Sequence, residues 1–320
     1  MKLNKNKIEP SKTSKKRFYI VIILVAVVVV SVAANGWLLF GRRQNDISAS
    51  LEKTKDRYKF LDPAQGFYEQ KDLIVNIQSL RDELNEIGKN KNLSIYFEYL
   101  PTGANIAVNK DIALWPASLM KIPVAMAVMK KIEKGEWKLE NELVLFNDDK
   151  DSRFGELYKK PVGSRFTIRE LLDEMLINSD NTSRSIFMRN LDASEITEVL
   201  EHLGIEDIFN KDSEVTTKKF SIFWRSLFMA SYLSPEHSQK LLEIMNQSSS
   251  VDYLRQGIPE NIPFSHKIGI SDDVYSDSGI VYIPNRPFII TVMMREKDEN
   301  KVKETMKLII QKSYNYVANY

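Results

Sequence analysis

An α+β body carried behind an N-terminal membrane anchor is the fold that this sequence predicts, and three observations carry the prediction. Stretches rich in β-branched and aromatic residues lie near both ends of the body, residues 118 to 246 between them show helical spacing, and an uncharged apolar run extends from Phe18 to Phe40. Strands that bracket a helical middle make an α+β arrangement.

The anchor comes first. Residues 1–17 form a basic tail, with Lys2, Lys5, Lys7, Lys12, Lys15, Lys16 and Arg17 against Glu9 alone. The run 18–40 is long enough to span a bilayer. Only Arg42 and Arg43 follow it closely, so the charge asymmetry predicts a cytoplasmic N-terminus, a single-pass signal anchor in the cell membrane and an extracytoplasmic body. The competing reading is a cleaved signal peptide, for which Ser31-Val32-Ala33-Ala34 offers small residues. Trp37, Leu38, Leu39 and Phe40 continue the apolar run past such a cut and favour retention.

Residues 41–70 read as a polar stalk, helix-compatible from Leu51 to Phe60 and broken at Asp62-Pro63. A domain is expected over 71–320. Leu73, Ile74, Ile77, Leu80, Leu84 and Ile87 predict an amphipathic helix ending near Gly88. Leu93–Leu100, the turn Pro101-Thr102-Gly103 and Ala104–Asn109 predict a hairpin. Helices are expected at Ile168–Leu176, Ala193–Leu203, Lys218–Tyr232 and Ser238–Met245. Strands at Gly279–Ile283 and Phe288–Met294 then flank Pro284-Asn285-Arg286-Pro287, and a last helix runs from about Lys301 to Tyr316.

Composition narrows the chemistry. At 320 residues, 43% apolar and 28% charged, the chain can bury the core of one large domain. The net charge of +2 is concentrated in the tail, so no nucleic-acid footprint is expected. Without cysteine there is no disulfide, thiol nucleophile or thiolate metal site. The three histidines are His202, His237 and His266, and neither a His-Glu-x-x-His helix nor a Gly-x-Ser-x-Gly elbow occurs. No metal or cofactor is expected.

Three short signatures carry the site. In Trp115-Pro116-Ala117-Ser118-Leu119-Met120-Lys121-Ile122-Pro123, a hydroxyl and an ammonium stand three residues apart, within reach of each other on one helix face. The apolar run after it predicts a core helix, whose start offers Ser118 free backbone N–H groups and the positive end of the dipole. Burial disfavours an ammonium, which makes Lys121 a candidate general base. The others are Ser179-Asp180-Asn181 and Lys267-Ile268-Gly269. Taken singly, each has a plainer reading: a helix cap at Ser118, a capping turn at Ser179-Asp180-Asn181 and a strand-edge charge at Lys267.

In this order the signatures resemble those of the class A serine β-lactamase and penicillin-binding protein superfamily, over about residues 71–320. The resemblance implies an antiparallel sheet built from both chain ends, packed with helices and joined to a helical lobe. It implies Ser118 as nucleophile, Lys121 as its base and Ser179 as a proton relay to the leaving nitrogen. It implies that Asn181 holds the substrate's amide carbonyl, that Lys267 attracts the substrate carboxylate and that Gly269 permits close approach. The backbone N–H of Ile270 would complete the oxyanion hole, and Asp180 would shape its loop. Two departures stand out. Ile268 replaces a hydroxyl residue that would donate to the substrate carboxylate, a bond worth roughly 1.5–3 kcal/mol. The segment Gly204–Thr216 is short and lacks the Glu-Leu-Asn that activates the deacylating water, with Glu214 the nearest-placed substitute among Glu206, Asp207 and Asp212.

The implied function is a membrane-anchored serine hydrolase, acylated at Ser118 by a β-lactam or a peptidoglycan-type peptide amide, with slow deacylation. A D,D-peptidase or transpeptidase acting on peptidoglycan stem peptides is the second reading. A catalytically weak wall-binding or envelope-scaffold homologue is the third.

Overall fold

The computed structural model describes residues 30–31, 58–61, 70–89 and 91–320. The basic tail, nearly all of the apolar run 18–40 and most of the stalk lie outside the described residues. Among the described residues no helix is long and apolar enough to cross a membrane. The chain divides into two compact units, 1–57 and 58–320. The second holds the sheet and the helical lobe.

Strands from the two ends of that unit meet in one sheet. β1 (Leu93–Tyr99) and β2 (Ala104–Val108) form the expected hairpin, and β7 (Phe264–Ser271), β8 (Val274–Val281) and β9 (Phe288–Arg295) form a meander. β9 pairs antiparallel with β1, from Leu93 opposite Met294 to Tyr99 opposite Phe288, giving the order β2-β1-β9-β8-β7. Alternation along the strands explains why the sheet is buried on both faces. Leu93, Ile95, Phe97, Ile290 and Val292 join a core with α1 (Gln78–Gly88) and α8 (Glu299–Ala318). Ile289 and Met293 turn to the other core, beneath α6 (Thr217–Met229).

Most polar strand residues on that second face are paired, Ser276 Oγ being the exception. Ser94 bonds Thr217 at 2.9 Å, Thr291 bonds both Ser221 (2.7 Å) and Ser278 (2.6 Å), and Trp224 Nε1 donates to Ser278 Oγ at 2.7 Å.

The lobe surrounds α2 (Lys121–Glu133), whose residues from Lys121 to Met129 are all buried. It touches α3 (Ile168–Ile177), α4 (Asn181–Asn190), α5 (Ala193–His202) and α7 (Pro235–Met245), so a helix apolar on every face finds apolar neighbours on every face. Thr167 and Glu170 form a capping box on α3, and Ser234 caps α7 with Pro235 in its first turn. Two short ribbons complete the unit: β3 (Ala113–Leu114) with β6 (Val215–Thr216), which lies against β9, and β4 (Glu142–Val144) with β5 (Arg165–Thr167), which lies against α3.

Several boundaries differ from expectation. α1 starts at Gln78 rather than Leu73, because Leu73 and Val75 are exposed and Ile74 buried in an extended approach. α6 stops at Met229, where Ala230 adopts a left-handed conformation. Within the expected stalk, Phe60 is buried: its N–H donates to Gln239 Oε1 at 2.9 Å and its ring meets Tyr282 edge-on at 4.9 Å.

Candidate active site

The first signature is not the opening of an α-helix. Ala117–Met120 is a single 3-10 turn, and α2 begins at Lys121. In a 3-10 turn residues i and i+3 eclipse, so Ser118 stands directly over Lys121 and their Oγ and Nζ are 3.1 Å apart. Pro123, in the first turn of α2, forfeits no bond that the helix needs. Ala117 has φ 47°, a left-handed conformation that a β-carbon disfavours. The surroundings hold it there: a β-carbon at Gly269 would come within 2.5 Å of the Pro116 carbonyl oxygen, so β7 lies directly against the turn.

Lys121 is 1% exposed and is the hub of the site. Its Nζ lies 2.5 Å from the Ser179 carbonyl oxygen, 2.7 Å from Asn181 Oδ1, 3.1 Å from Ser118 Oγ and 3.2 Å from Ser179 Oγ. Burial brings its pKa down to about 6, with further repulsion from Lys267 and Arg184 outweighing attraction by Asp180 and Asp151. As a neutral amine it has two N–H groups, matched by the two acceptor-only oxygens, the Ser179 carbonyl and Asn181 Oδ1. Its lone pair is then left for a hydroxyl proton, and Ser118 supplies one.

The second signature is built by a helix cap. Asp180 Oδ1 accepts the N–H of Ser183 at 2.7 Å, starting α4, and Oδ2 accepts the N–H of Leu157 at 3.0 Å. Gly155 is tied to this contact, since a β-carbon there would strike Asp180. Asp180 thus shapes the loop, as expected. Ser179 itself is left-handed at φ 56°, which turns both its carbonyl and its hydroxyl toward Lys121.

β7 forms the opposite wall as the free edge of the sheet. The N–H of Tyr282 donates to the carbonyl of Pro263, so odd-numbered residues of β7 bond β8 and the N–H groups of Ile268 and Ile270 point to the open edge. Lys267 is 1% exposed, and burial lowers its pKa to about 7, partly offset by Asp277. Ile268 packs with the core on the far face of the sheet, under α1 and α8. His266 bonds Asp277 at 2.9 Å and stacks on Phe264, a buried structural arrangement.

A cavity of about 690 Å³ is bordered by Ser118, Lys121, Asn181 and Ile270; Ser179, Lys267 and Gly269 are not among the residues that line it. Residues that the sequence reading did not single out complete it: Trp115 and Phe154 at the rim, Asp151 and Arg153 beside α4, and Arg184 on it. Asp180 as a cap, followed by Ile186 and Phe187, marks a helix starting at Asn181, and that signal places Arg184 one turn on, on the face of Asn181.

Glu214 is a correction. Its carboxylate accepts from Asn210 Nδ2 at 3.1 Å and faces Arg295 at 3.6 Å, and it does not border the cavity. The reason is the tight turn from Asn210 to Glu214, closed by backbone bonds and a left-handed Ser213, which aims the side chain toward the end of β9. The shortened segment gives the cavity Phe209 and Ser213 instead.

Comparison with known proteins agrees with this architecture. A model of the beta-lactamase enzyme family matches residues 78–317. The β-lactamase VEB-1 of Pseudomonas aeruginosa is 24% identical over 247 residues, covering 67% of this chain and 81% of that protein. A β-lactamase from Sphaerobacter thermophilus superposes with a TM-score of 0.71 at 18% identity, covering 77% of this chain and 99% of its own. A point mutant of PBP-A, solved as an acyl-enzyme complex with penicillin G, superposes with a TM-score of 0.69 at 22% identity, covering 76% of this chain and 98% of its own. At these identities the structural likenesses speak to the fold.

Proposed function

Because the chain belongs to the beta-lactamase enzyme family and is a serine hydrolase of that type, we propose that it is a membrane-anchored acyl-transfer enzyme of the extracytoplasmic side, acylated at Ser118 and slow to deacylate. The observation that carries the reading is the 3.1 Å contact between Ser118 Oγ and a buried Lys121 whose protons are already committed to two carbonyl oxygens. Ser118 Oγ attacks the amide or lactam carbonyl carbon as its proton passes to Lys121 Nζ. The oxyanion is met by the N–H groups of Ser118 and Ile270. The C–N bond then breaks, the nitrogen takes the proton from Lys121 by way of the Ser179 hydroxyl, and an ester remains on Ser118.

Substrate is held by the Asn181 amide on its acyl side and by Lys267 on its carboxylate. Slow deacylation is supported by the shortened segment, which brings an aromatic ring and a hydroxyl to the cavity where a water-activating carboxylate is needed. The same observation favours a D,D-peptidase or transpeptidase over an efficient β-lactamase. Anchoring rests on the run 18–40 and its flanking charges.

Intact-protein mass of the soluble body after exposure to benzylpenicillin tests the reading. A persistent adduct that maps to Ser118 and is lost in Ser118→Ala is the expected result. Rapid turnover without adduct would make the protein an efficient lactamase, and no reaction at all would leave the scaffold reading.

A further inference from the structure

Beyond its repulsion of the Lys121 ammonium, Arg184 has no role in the chemistry above, yet it stands in the cavity with Asn181 and Lys121. The two α4 residues are three apart and share a face, so the guanidinium lies one turn beyond the amide assigned to the substrate's acyl side. Arg184 makes no ion pair and no hydrogen bond among the described residues, although a guanidinium carries five N–H donors in a fixed fork. Its surroundings explain why. The one carboxylate on that wall, Asp151, is bound by Arg153 through both oxygens and accepts from the Asn181 amide. The other carboxylate bordering the cavity, Asp272, belongs to the turn between β7 and β8, on the strand side. The lobe wall therefore holds two guanidinium groups against one occupied carboxylate. Arg184 reaches solvent; burial and Arg153 lower its pKa while Asp151, which makes no ion pair with it, raises it, so the guanidinium stands in a partly dry cavity within the field of both charges.

Resting on the acylation reading above, we propose that Arg184 selects substrates whose acyl half carries a carboxylate: an acidic peptide acyl donor, or a β-lactam with an anionic side chain. A carboxylate there accepts two parallel N–H bonds from the fork, in addition to the carboxylate that Lys267 attracts on the leaving-group side. The substrate is thus anionic on both sides of the bond that breaks. Arg184 binds and orients; it takes no part in proton transfer.

Benzylpenicillin and α-carboxybenzylpenicillin, which differ by one carboxylate on the acyl side chain, read this directly. The ratio of their second-order acylation rates at Ser118, carboxylated over parent, should fall by about tenfold or more in Arg184→Gln. Arg184→Lys, which keeps the charge without the fork, should recover part of it. Thermal unfolding of each variant checks that the fold is intact. A ratio near one in the unmodified protein, or one unchanged by Arg184→Gln, overturns the proposal while leaving acylation at Ser118 in place. If neither penicillin forms an adduct or is turned over, the acylation reading fails by itself. Calorimetric dissociation constants of the same pair on Ser118→Ala, with and without Arg184→Gln, then decide the selectivity: a ratio shifted by Arg184→Gln upholds it, and an unshifted ratio ends it.

Discussion

Lys121 has four oxygen neighbours and, as an ammonium, only three protons to give them. Losing one proton turns a crowded cation into a matched amine, and burial with two nearby cations pulls in the same direction. The acylation rate constant per free enzyme should therefore rise with pH through about 6, as Lys121 loses its proton. Lys267, with a pKa of about 7, must stay protonated to attract the substrate carboxylate, so the rate should fall again above that value. The two lysines repel each other, and the limbs of the bell belong to the pair. Stopped-flow acylation by a chromogenic cephalosporin between pH 5 and 9 measures this; a rate still climbing above pH 9 would mean that Lys121 keeps its proton until much higher pH. Lys121→Ala should slow acylation by about a hundredfold or more, the scale of general-base help, while leaving the fold intact.

At the level of elements, the site depends on β7 lying close against the 3-10 turn. Gly269→Ala places a methyl 2.5 Å from the Pro116 carbonyl oxygen, a backbone atom that moves only if the turn moves. Overpacking of this kind costs about 1–3 kcal/mol, and a displacement of about 1 Å at the nucleophile costs on the order of 10² in rate. Loss of acylation in a variant that still unfolds cooperatively is expected; acylation at the original rate would show that the contact positions nothing. The shortened segment between α5 and α6 carries a second expectation. Glu214 is turned to Arg295, so Glu214→Gln should leave the lifetime of the acyl-enzyme unchanged, against the slowing of about a hundredfold or more that removal of a general base brings. Adduct decay followed by mass spectrometry decides it, and a lifetime lengthened on that scale would return Glu214 to the chemistry.

For the whole molecule, Lys121 and Lys267 are a standing cost. A lysine whose pKa is depressed on folding binds fewer protons folded than unfolded, so stability rises with pH from about 6–7 toward the ordinary lysine value near 10.5. Each can contribute up to about 1.4 kcal/mol per pH unit. Between pH 7 and 9, below the ionisation of tyrosines, Tm of the soluble body should climb, and Lys267→Met should flatten the climb; a Tm independent of pH in this window would contradict the burial of both amines. The sequence by itself determined a good deal. Residue type and order gave the three signatures, β-branched and aromatic runs gave the β1–β2 hairpin and β9, helical spacing gave α3, α5, α7 and α8, and the missing Glu-Leu-Asn foretold a cavity without its usual carboxylate. These features are local, so a window of residues contains their cause. Tertiary structure decided the rest. The 3-10 turn under Ser118 is held by contact with β7, about 150 residues away. Pairing of β1 with β9 puts β7 at a free edge with the Ile270 N–H facing outward. A five-residue turn swings Glu214 away, and the same fold leaves Arg184 in the cavity without an ion pair or hydrogen bond among the described residues. Each depends on which distant group occupies the neighbouring space, and spacing along a chain does not carry that information.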